Sequence, residues 1–144
     1  MTEGPVVATY QRHRRVYVGD DDSSGLIFFP MYYHYIAEAE QDFFDQVGIP
    51  AWSELAEGVG SPAVHTSCDY VAPARAGDLL LQELELRLGR RTSFRIDHTF
   101  TLAGELVARA SSVRVHVDTT TMRPLPLPQW VTELGSQGAA ADVV

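Results

Sequence analysis

One stretch of the chain, residues 30–47, carries hydrophobic residues at the spacing of an α-helix. The recurring positions are Tyr32, Ile36, Ala39, Phe43 and Val47, and a neighbouring stripe is formed by Tyr33, Ala37 and Phe44. Pro30 is tolerated in a first helical turn, where its missing N–H would be unpaired in any case. Gly48 and Pro50 predict the end of the helix. Because its apolar arc is wide, we expect one long helix that is buried against the rest of the fold.

In other segments the hydrophobic residues recur at every second position, which is typical of half-buried strands. The predicted strands are residues 6–18, 64–72, 79–88, 92–102 and 105–118. Short connections between the later strands indicate antiparallel neighbours. This order predicts an α+β domain over residues 1–134, with one antiparallel sheet packed on the helix. We expect a short helix at 52–57, an end to the last strand at the prolines of 124–128, and a disordered tail over 135–144.

Charge and cysteine content limit the function. A net charge of -8 and a pI of about 4.9 disfavour nucleic-acid binding. The single cysteine, Cys68, excludes an internal disulfide and fits a reducing compartment. No apolar run approaches the ~20 residues that span a bilayer, and the acidic N-terminus does not resemble a secretory signal. We expect a cytoplasmic protein that binds neither nucleic acid nor membranes.

The densest group of reactive side chains is an acidic turn over residues 19–25. Asp20, Asp21 and Asp22 are adjacent, and because like charges repel, we expect none of them to be there for stability. The turn leads into the start of the predicted helix, where unpaired N–H groups and the helix dipole favour negative charge. Acyl transfer needs a carboxylate beside such donors. The alternative is a solvated acidic turn without a function.

Calcium binding is a second alternative for this turn. Asp20, Asp22 and Ser24 alternate as at the opening of an EF-hand loop. The twelfth position holds Met31 in place of the bidentate glutamate. We therefore predict no metal site, and no Gly-x-Ser-x-Gly elbow suggests a serine nucleophile.

Residues 19–33 resemble the signature of the 4-hydroxybenzoyl-CoA thioesterase family: Asp-x-Asp-x-x-Gly, an apolar and aromatic run, then a helix rich in aromatic residues. Further similarity at 48–50, 61–64, 70–78 and 90–94 extends the resemblance over most of the chain. It implies the hot-dog fold, in which about five antiparallel strands are wrapped around a long central helix. The sequence departs from the family at Ser23-Ser24, where Pro-Ala or Ala-Gly is frequent, and at Met31, where asparagine is common.

The resemblance implies an acyl-CoA thioesterase whose catalytic carboxylate is Asp22. The family uses this carboxylate as a nucleophile that forms an acyl-enzyme anhydride, or as a base that activates water. The backbone N–H of Phe29, or of a neighbour, would polarise the thioester carbonyl. The aromatic residues of 28–35 would suit an aryl or medium acyl group, although we expect most of them in the core. Coenzyme A is part of the substrate, and no separate cofactor is implied.

Substrate-binding residues are also implied outside the acidic turn. Arg90 and Arg91, followed by Thr92, match the family's contacts to the CoA phosphates. Arginine suits this role because its fork can bind phosphate oxygens bidentately; the alternative for this pair is an ordinary solvated turn. His65 is a further candidate on the strand that follows Pro62. The other two histidines near aromatic positions, His34 and His98, are expected to be structural and hydrogen-bonded.

The resemblance also implies a homodimer, commonly paired into a homotetramer, with sites at the interface. Three alternatives to acyl-CoA hydrolysis stay open. One is a thioesterase that acts on carrier-protein-bound acyl or polyketide chains, and another is a hydratase or dehydratase, which would use a histidine and an acid. The third is a non-catalytic protein that binds acyl thioesters.

Overall fold

A five-stranded antiparallel sheet forms the frame of the computed structural model, which describes residues 4–136. The elements are β1 (Val6–Arg15), α1 (Met31–Gln46), α2 (Ala51–Ala56), β2 (Val59–Gly60), β3 (Ala63–Tyr70), β4 (Leu79–Leu88), β5 (Ser93–Leu102), β6 (Glu105–Val115), β7 (Val117–Asp118) and α3 (Gln129–Ser136). The strand order in the sheet is β1-β4-β5-β6-β3, so β1 and β3 are its two edges. The predicted α+β class and the antiparallel sheet of about five strands are confirmed.

The predicted last strand, 105–118, is interrupted at His116. The His116 N–H donates to the Thr92 carbonyl at 2.9 Å, and the chain then leaves the sheet. Beyond this point β7 pairs with β2 in a separate two-stranded ribbon. The alternation of hydrophobic residues continues through His116, so the sequence pattern alone could not locate the break.

Helix α1 packs its buried side against the sheet through two apolar clusters. Tyr35 is 0% exposed and lies in a cluster with Leu80 and Phe100, whereas Phe43 is 1% exposed and lies in a second cluster with Leu84 and Ile96. Each fully buried side chain of this kind contributes about 1.5–3 kcal/mol. These two clusters therefore fix the helix on the sheet.

The second apolar stripe of α1 is less buried than predicted. Tyr33 is 37% exposed and Ala37 is also exposed. The expectation that most aromatic residues of 28–35 are in the core is wrong for Phe28 and Phe29 as well, which are 47% and 61% exposed. The sheet covers only one side of the helix, which leaves apolar side chains uncovered in the single chain.

Helix α3 was not predicted, because three prolines precede it. Pro128 supplies its first turn: its carbonyl accepts the Val131 N–H at 3.1 Å. Val131 is fully buried, and the Trp130 ring packs against Phe44 at 5.6 Å and against Phe94 at 6.3 Å. The helix extends into the predicted tail as far as residue 136, and residues 137–144 lie outside the described part of the chain.

A buried polar network lies between α1 and the sheet. His98 is 1% exposed, and its Nε2 lies 2.8 Å from Glu40, which is 2% exposed. Glu40 also pairs with Arg114 and accepts a hydrogen bond from Ser112 at 3.3 Å. The structural role predicted for His98 is confirmed, whereas His34 is exposed and its side chain has no hydrogen bond within residues 4–136, so the hydrogen-bonded role predicted for it is wrong.

Candidate active site

The acidic turn folds into a short hairpin that ends at the start of α1. Asp21 and Ile27 form an isolated antiparallel bridge. The Asp22 N–H donates to the Leu26 carbonyl at 2.9 Å, and the Gly25 N–H donates back to the Asp22 carbonyl at 3.0 Å. Gly25 has φ +80°, which glycine adopts without strain. Because Ile27 is only 6% exposed, the hairpin is anchored in the core.

Asp20 ties this hairpin to the body of the protein. Its Oδ2 accepts hydrogen bonds from the Tyr35 hydroxyl at 2.8 Å and from the Tyr17 N–H at 3.1 Å. Its backbone carbonyl accepts the Phe28 N–H at 2.8 Å. The Arg14 guanidinium lies 3.9 Å from the same Oδ2. The expectation that none of the three carboxylates stabilises the fold is therefore wrong for Asp20, because these donors offset the repulsion between adjacent charges.

Asp22 presents its carboxylate on the exposed surface of the hairpin. Its Oδ1 accepts hydrogen bonds from the Ser24 hydroxyl and from the Ser24 N–H, the latter at 2.8 Å. These bonds, with the hydroxyl as the largest cause, hold the pKa of Asp22 below its ordinary value. The Oδ2 atom has no hydrogen-bond partner among residues 4–136. The carboxylate is thus ionised at neutral pH and keeps one oxygen for a reaction partner.

The three carboxylates of the turn do not share one partner. Asp21 accepts the Gly19 N–H at 3.1 Å, so its carboxylate is used by the turn itself. Within the described part of the chain, no group of three or more His, Cys, Asp or Glu side chains could hold a metal ion. The geometry therefore gives no support to the calcium alternative.

The start of α1 offers one unpaired backbone N–H, that of Phe29. Pro30 has no N–H at all. The N–H groups of Met31, Tyr32 and Tyr33 each donate to the carbonyl three residues earlier, at 2.8, 3.4 and 3.0 Å. The Phe29 N–H has no acceptor among residues 4–136. It therefore stands at the positive end of the helix as a donor available to a ligand.

A cavity of about 460 Å³ lies beside Phe29, between the start of α1 and the segment that follows β3. Phe29, Tyr32 and Tyr70 supply aromatic lining, and the hairpin that carries Asp22 supplies Leu26 and Ile27. The remaining lining residues are Val71, Ala72, Pro73 and Ala74. The Tyr70 hydroxyl donates to the Phe29 carbonyl at 3.3 Å, which ties β3 to the start of the helix. None of the lining residues carries a charge.

Sequence reasoning missed the role of Tyr70. This residue lies within the 70–78 segment that resembles the family, but the alternation of β3 does not reveal which helix end its ring will reach. The rings of Tyr70 and Phe29 are 6.2 Å apart, and those of Tyr70 and Tyr32 are 5.4 Å apart. The cavity is created by this contact between segments that are distant in the sequence.

The turn between β4 and β5 carries the predicted phosphate-binding residues. Arg90 and Arg91 are exposed, and neither guanidinium has a partner among residues 4–136. Arg90 and Thr92 line a cavity of about 680 Å³, together with Arg87 and Arg95. Arg91 does not line it. Sequence reasoning missed Arg87 and Arg95, because their positions in alternating strands suggested only a solvated face.

A single protomer does not bring this turn to Asp22. The hairpin lies at the Leu79 end of β4, where the Val16 N–H donates to the Asp78 carbonyl at 2.8 Å. The arginine turn follows Leu88 at the other end. At about 3.3 Å per residue, ten residues of strand separate the two ends by roughly 30 Å.

His65 is exposed on β3, the edge strand of the sheet. Tyr70 lies five positions further along the strand, and an odd offset in a strand places two side chains on opposite faces. The structure therefore does not bring His65 to the 460 Å³ cavity of the same protomer. Its role in substrate binding stays a prediction.

An antiparallel sheet with a helix on one face, and an acidic hairpin at the start of that helix, form the architecture of a hot-dog fold. Residues 16–134 match the family model described as the thioesterase-like superfamily. The chain belongs to this superfamily, and the predicted resemblance to 4-hydroxybenzoyl-CoA thioesterases is confirmed. Within residues 4–136 no helix is both long and apolar enough to span a membrane.

Similar proteins support the same assignment. A 4-hydroxybenzoyl-CoA thioesterase from Pseudomonas sp. (strain CBS-3) is 32% identical over 133 residues, which cover 85% of this chain and 94% of that protein. The structure of a 1,4-dihydroxy-2-naphthoyl-CoA thioesterase from Synechocystis matches with a TM-score of 0.84 at 27% identity, covering 90% of this chain and 96% of that one. A 4-hydroxybenzoyl-CoA thioesterase mutant (an aspartate-to-asparagine change) in complex with 4-hydroxybenzoyl-CoA matches with a TM-score of 0.77 at 28% identity, covering 88% and 97%.

Proposed function

We propose that this thioester hydrolase cleaves an aromatic acyl-CoA to the free acid and CoA, with Asp22 as its catalytic carboxylate. One observation carries the proposal: the hairpin that holds Asp22 supplies Leu26 and Ile27 to the same uncharged cavity that is lined by Phe29, the residue with the free N–H. An ionised carboxylate and an unpaired donor are the two groups that acyl transfer requires. Aromatic lining from Tyr32 and Tyr70 suits a planar acyl group.

The chemistry can follow either of two routes. In the nucleophilic route, Asp22 Oδ2 attacks the thioester carbonyl carbon, and the Phe29 N–H donates to the developing oxyanion. The C–S bond breaks, CoA leaves as the thiolate, and water then hydrolyses the acyl–aspartyl anhydride. In the other route, Asp22 removes a proton from a water molecule whose oxygen attacks the same carbon. The lowered pKa of Asp22 keeps the carboxylate ionised for both routes.

We further propose that Arg90, Arg91 and Thr92 bind the CoA phosphates. The two guanidinium groups are exposed and have no partner within residues 4–136, so they are free to form charge-assisted hydrogen bonds. Because a roughly 30 Å strand separates them from Asp22 in one protomer, a partner protomer must supply them to each site. His65, on the outer face of the edge strand, is a further candidate for contact with a substrate held between protomers.

A homodimer, which can pair into a tetramer, is therefore part of the proposal. Val64 on β3 is 61% exposed, and Val71, the residue that follows the end of this strand, is 51% exposed. An edge strand with exposed apolar side chains is a site where a second chain can add. Tyr33 and Ala37 on α1 extend the uncovered apolar surface. A cytoplasmic location and the absence of a cofactor stay predictions.

The proposal is tested by hydrolysis of a panel of aryl-, short-chain and long-chain acyl-CoAs, followed by release of free thiol. We expect turnover of at least one aryl-CoA and a loss of roughly 100-fold or more in Asp22→Asn. Asp21→Asn is the matched control, since it makes the same charge change in the same hairpin. Full activity in Asp22→Asn would overturn the catalytic assignment. Hydrolysis of carrier-protein thioesters and of no CoA ester would overturn the proposal that the substrate is an acyl-CoA.

A further inference from the structure

The side chain of Tyr32 is held rigidly at the wall of the 460 Å³ cavity. Tyr32 is 4% exposed, and its ring meets that of Phe100 edge-on at 5.3 Å. The rings of Tyr70 and Tyr35 lie 5.4 and 6.0 Å away. Since three aromatic neighbours enclose the ring, the position of its hydroxyl is fixed before any ligand binds.

The Tyr32 hydroxyl is a polar side-chain group of this cavity that the protein itself does not use. It has no hydrogen-bond partner among residues 4–136, and the residue is only 4% exposed. The other phenol of the lining, Tyr70, already donates to the Phe29 carbonyl. Burial raises the pKa of Tyr32 to about 12, so the hydroxyl keeps its proton at neutral pH. Buried polar groups in proteins are almost always hydrogen-bonded, so this hydroxyl is suited to a partner supplied by a ligand.

The distance along the helix fits a group on the acyl ring. The Tyr32 N–H donates to the Phe29 carbonyl at 3.4 Å, so the two residues are one turn apart, and both line the cavity. A thioester whose carbonyl oxygen meets the Phe29 N–H can extend its acyl group through this cavity toward Tyr32. The lining has no charged residue, so a neutral ring with a small polar substituent matches it better than a charged acyl group.

We propose that Tyr32 is a specificity-determining residue, whose hydroxyl forms a hydrogen bond with a hydroxyl substituent on the acyl ring. This inference rests on the proposed function and adds the group that selects among aromatic acyl-CoAs. A site that keeps a buried hydroxyl for its substrate rejects an analogue of the same size that lacks the partner, because the protein group is then left unpaired.

The test compares three pairs of substrates: 2-, 3- and 4-hydroxybenzoyl-CoA, each against the methylbenzoyl-CoA with a methyl group at the same ring position. Wild-type protein should prefer the hydroxy ester in kcat/KM at one ring position at least. In Tyr32→Phe this preference should fall roughly 3- to 10-fold, the size expected for one uncharged hydrogen bond. The ratio does not depend on how much of a preparation is folded, because both substrates are measured with the same active fraction.

Tyr70→Phe is the matched control. It removes a phenol hydroxyl from the same cavity wall, but one that is already bonded to Phe29, so it should lower both rates and leave the ratio unchanged. If wild type and Tyr32→Phe hydrolyse both members of every pair with the same ratio of kcat/KM, Tyr32 does not select the substrate. The proposed function would stand in that case. Wild-type protein that prefers no hydroxy ester over its methyl partner would also overturn the role of Tyr32, without need of the variant. Hydrolysis of none of the six esters, or of any other aryl-CoA, would overturn the proposed function and this inference together.

Discussion

The hydroxyl of Tyr35, a residue that is 0% exposed, donates a 2.8 Å hydrogen bond to the carboxylate of Asp20. The core of α1 is thereby joined to the hairpin that presents Asp22. The Arg14 guanidinium lies 4.5 Å above the Tyr35 ring and also binds Glu38 of α1. The first aspartate of the Asp-x-Asp pattern is thus a structural anchor, while the second one stays exposed.

Removing this anchor should weaken both the fold and the reaction. We expect Tyr35→Phe to lower the free energy of unfolding by about 1.5–3 kcal/mol, the usual contribution of a hydrogen bond to a charged group. Turnover should fall as well, because the hairpin loses its link to the core. Urea denaturation and steady-state kinetics measure the two effects. Tyr33→Phe, on the exposed side of the same helix, should change neither; equal stability of the two variants would contradict the anchor.

The pH dependence of hydrolysis should depend on Ser24. Its hydroxyl and N–H both donate to Asp22 and lower the pKa of that carboxylate below its ordinary value of 3.8. The wild-type rate should therefore decline only as the pH falls below this value. In Ser24→Ala the pKa should rise toward the ordinary value, which moves the acid limb of the kcat/KM profile to higher pH. Ser23→Ala should leave that limb in place, and a profile for Ser24→Ala that matches wild type would count against Asp22 as the titrating group.

The stability of the fold should depend on pH through the carboxylate of Glu40. Burial opposes the ionised form, but the His98 hydrogen bond and the Arg114 charge outweigh it and hold the pKa of Glu40 below its ordinary value of 4.5. A lowered folded pKa means that the stabilisation is present above that ordinary value and is lost as the pH falls through the folded pKa. At pH 7, Glu40→Gln should cost about 3 kcal/mol or more, because Arg114 loses its buried partner.

The difference between wild type and Glu40→Gln should shrink as the pH is lowered below 4.5. Urea denaturation curves between pH 7 and pH 3 measure it. Glu105→Gln, at an exposed position, is the control for the removal of one carboxylate. A difference that is constant across this range would show that charge at Glu40 does not stabilise the fold.

Arg90 should contribute to binding and not to the chemical step. We expect Arg90→Ala to raise KM for an acyl-CoA about 10-fold, the size of one charge-assisted hydrogen bond, with kcat little changed. A short acyl thioester without phosphates should be hydrolysed equally by both proteins. Arg123→Ala, another exposed arginine, is the control. An unchanged KM for acyl-CoA would remove the arginine turn from the proposed site.

A charge on the free edge of the sheet should separate protomers. The chain has a mass of 15.9 kDa, and we expect a particle of twice that mass or a higher multiple in sedimentation velocity. Val64→Asp should shift it toward the single-chain mass and abolish hydrolysis together, because each site then loses the partner's arginine turn. Leu55→Asp places the same charge on an apolar residue of α2 that is 70% exposed, and it should change neither the mass nor the activity. A fully active single chain would contradict the shared site.

The sequence by itself determined the local elements and the acidic turn in which the candidate site lies. Helical spacing between two prolines set α1 to within a residue at each end, and β4 spans Leu79–Leu88 as predicted from the alternation that is clear at 84–88. These signals are local, because each depends on residues a few positions apart. The resemblance of residues 19–33 to the thioesterase family also implied Asp22 and Phe29 as site residues without any knowledge of what lies across from them.

The tertiary structure decided which of these residues are covered, paired or brought together. Tyr70 reaches Phe29 from a position 41 residues away along the chain, and Asp20 is stabilised by a tyrosine fifteen residues later. Helix α3 is held by the contact of Trp130 with Phe44 and not by its own short pattern. Such contacts depend on how the sheet and α1 pack in three dimensions, and one-dimensional spacing carries no information about distances between segments that meet only after folding.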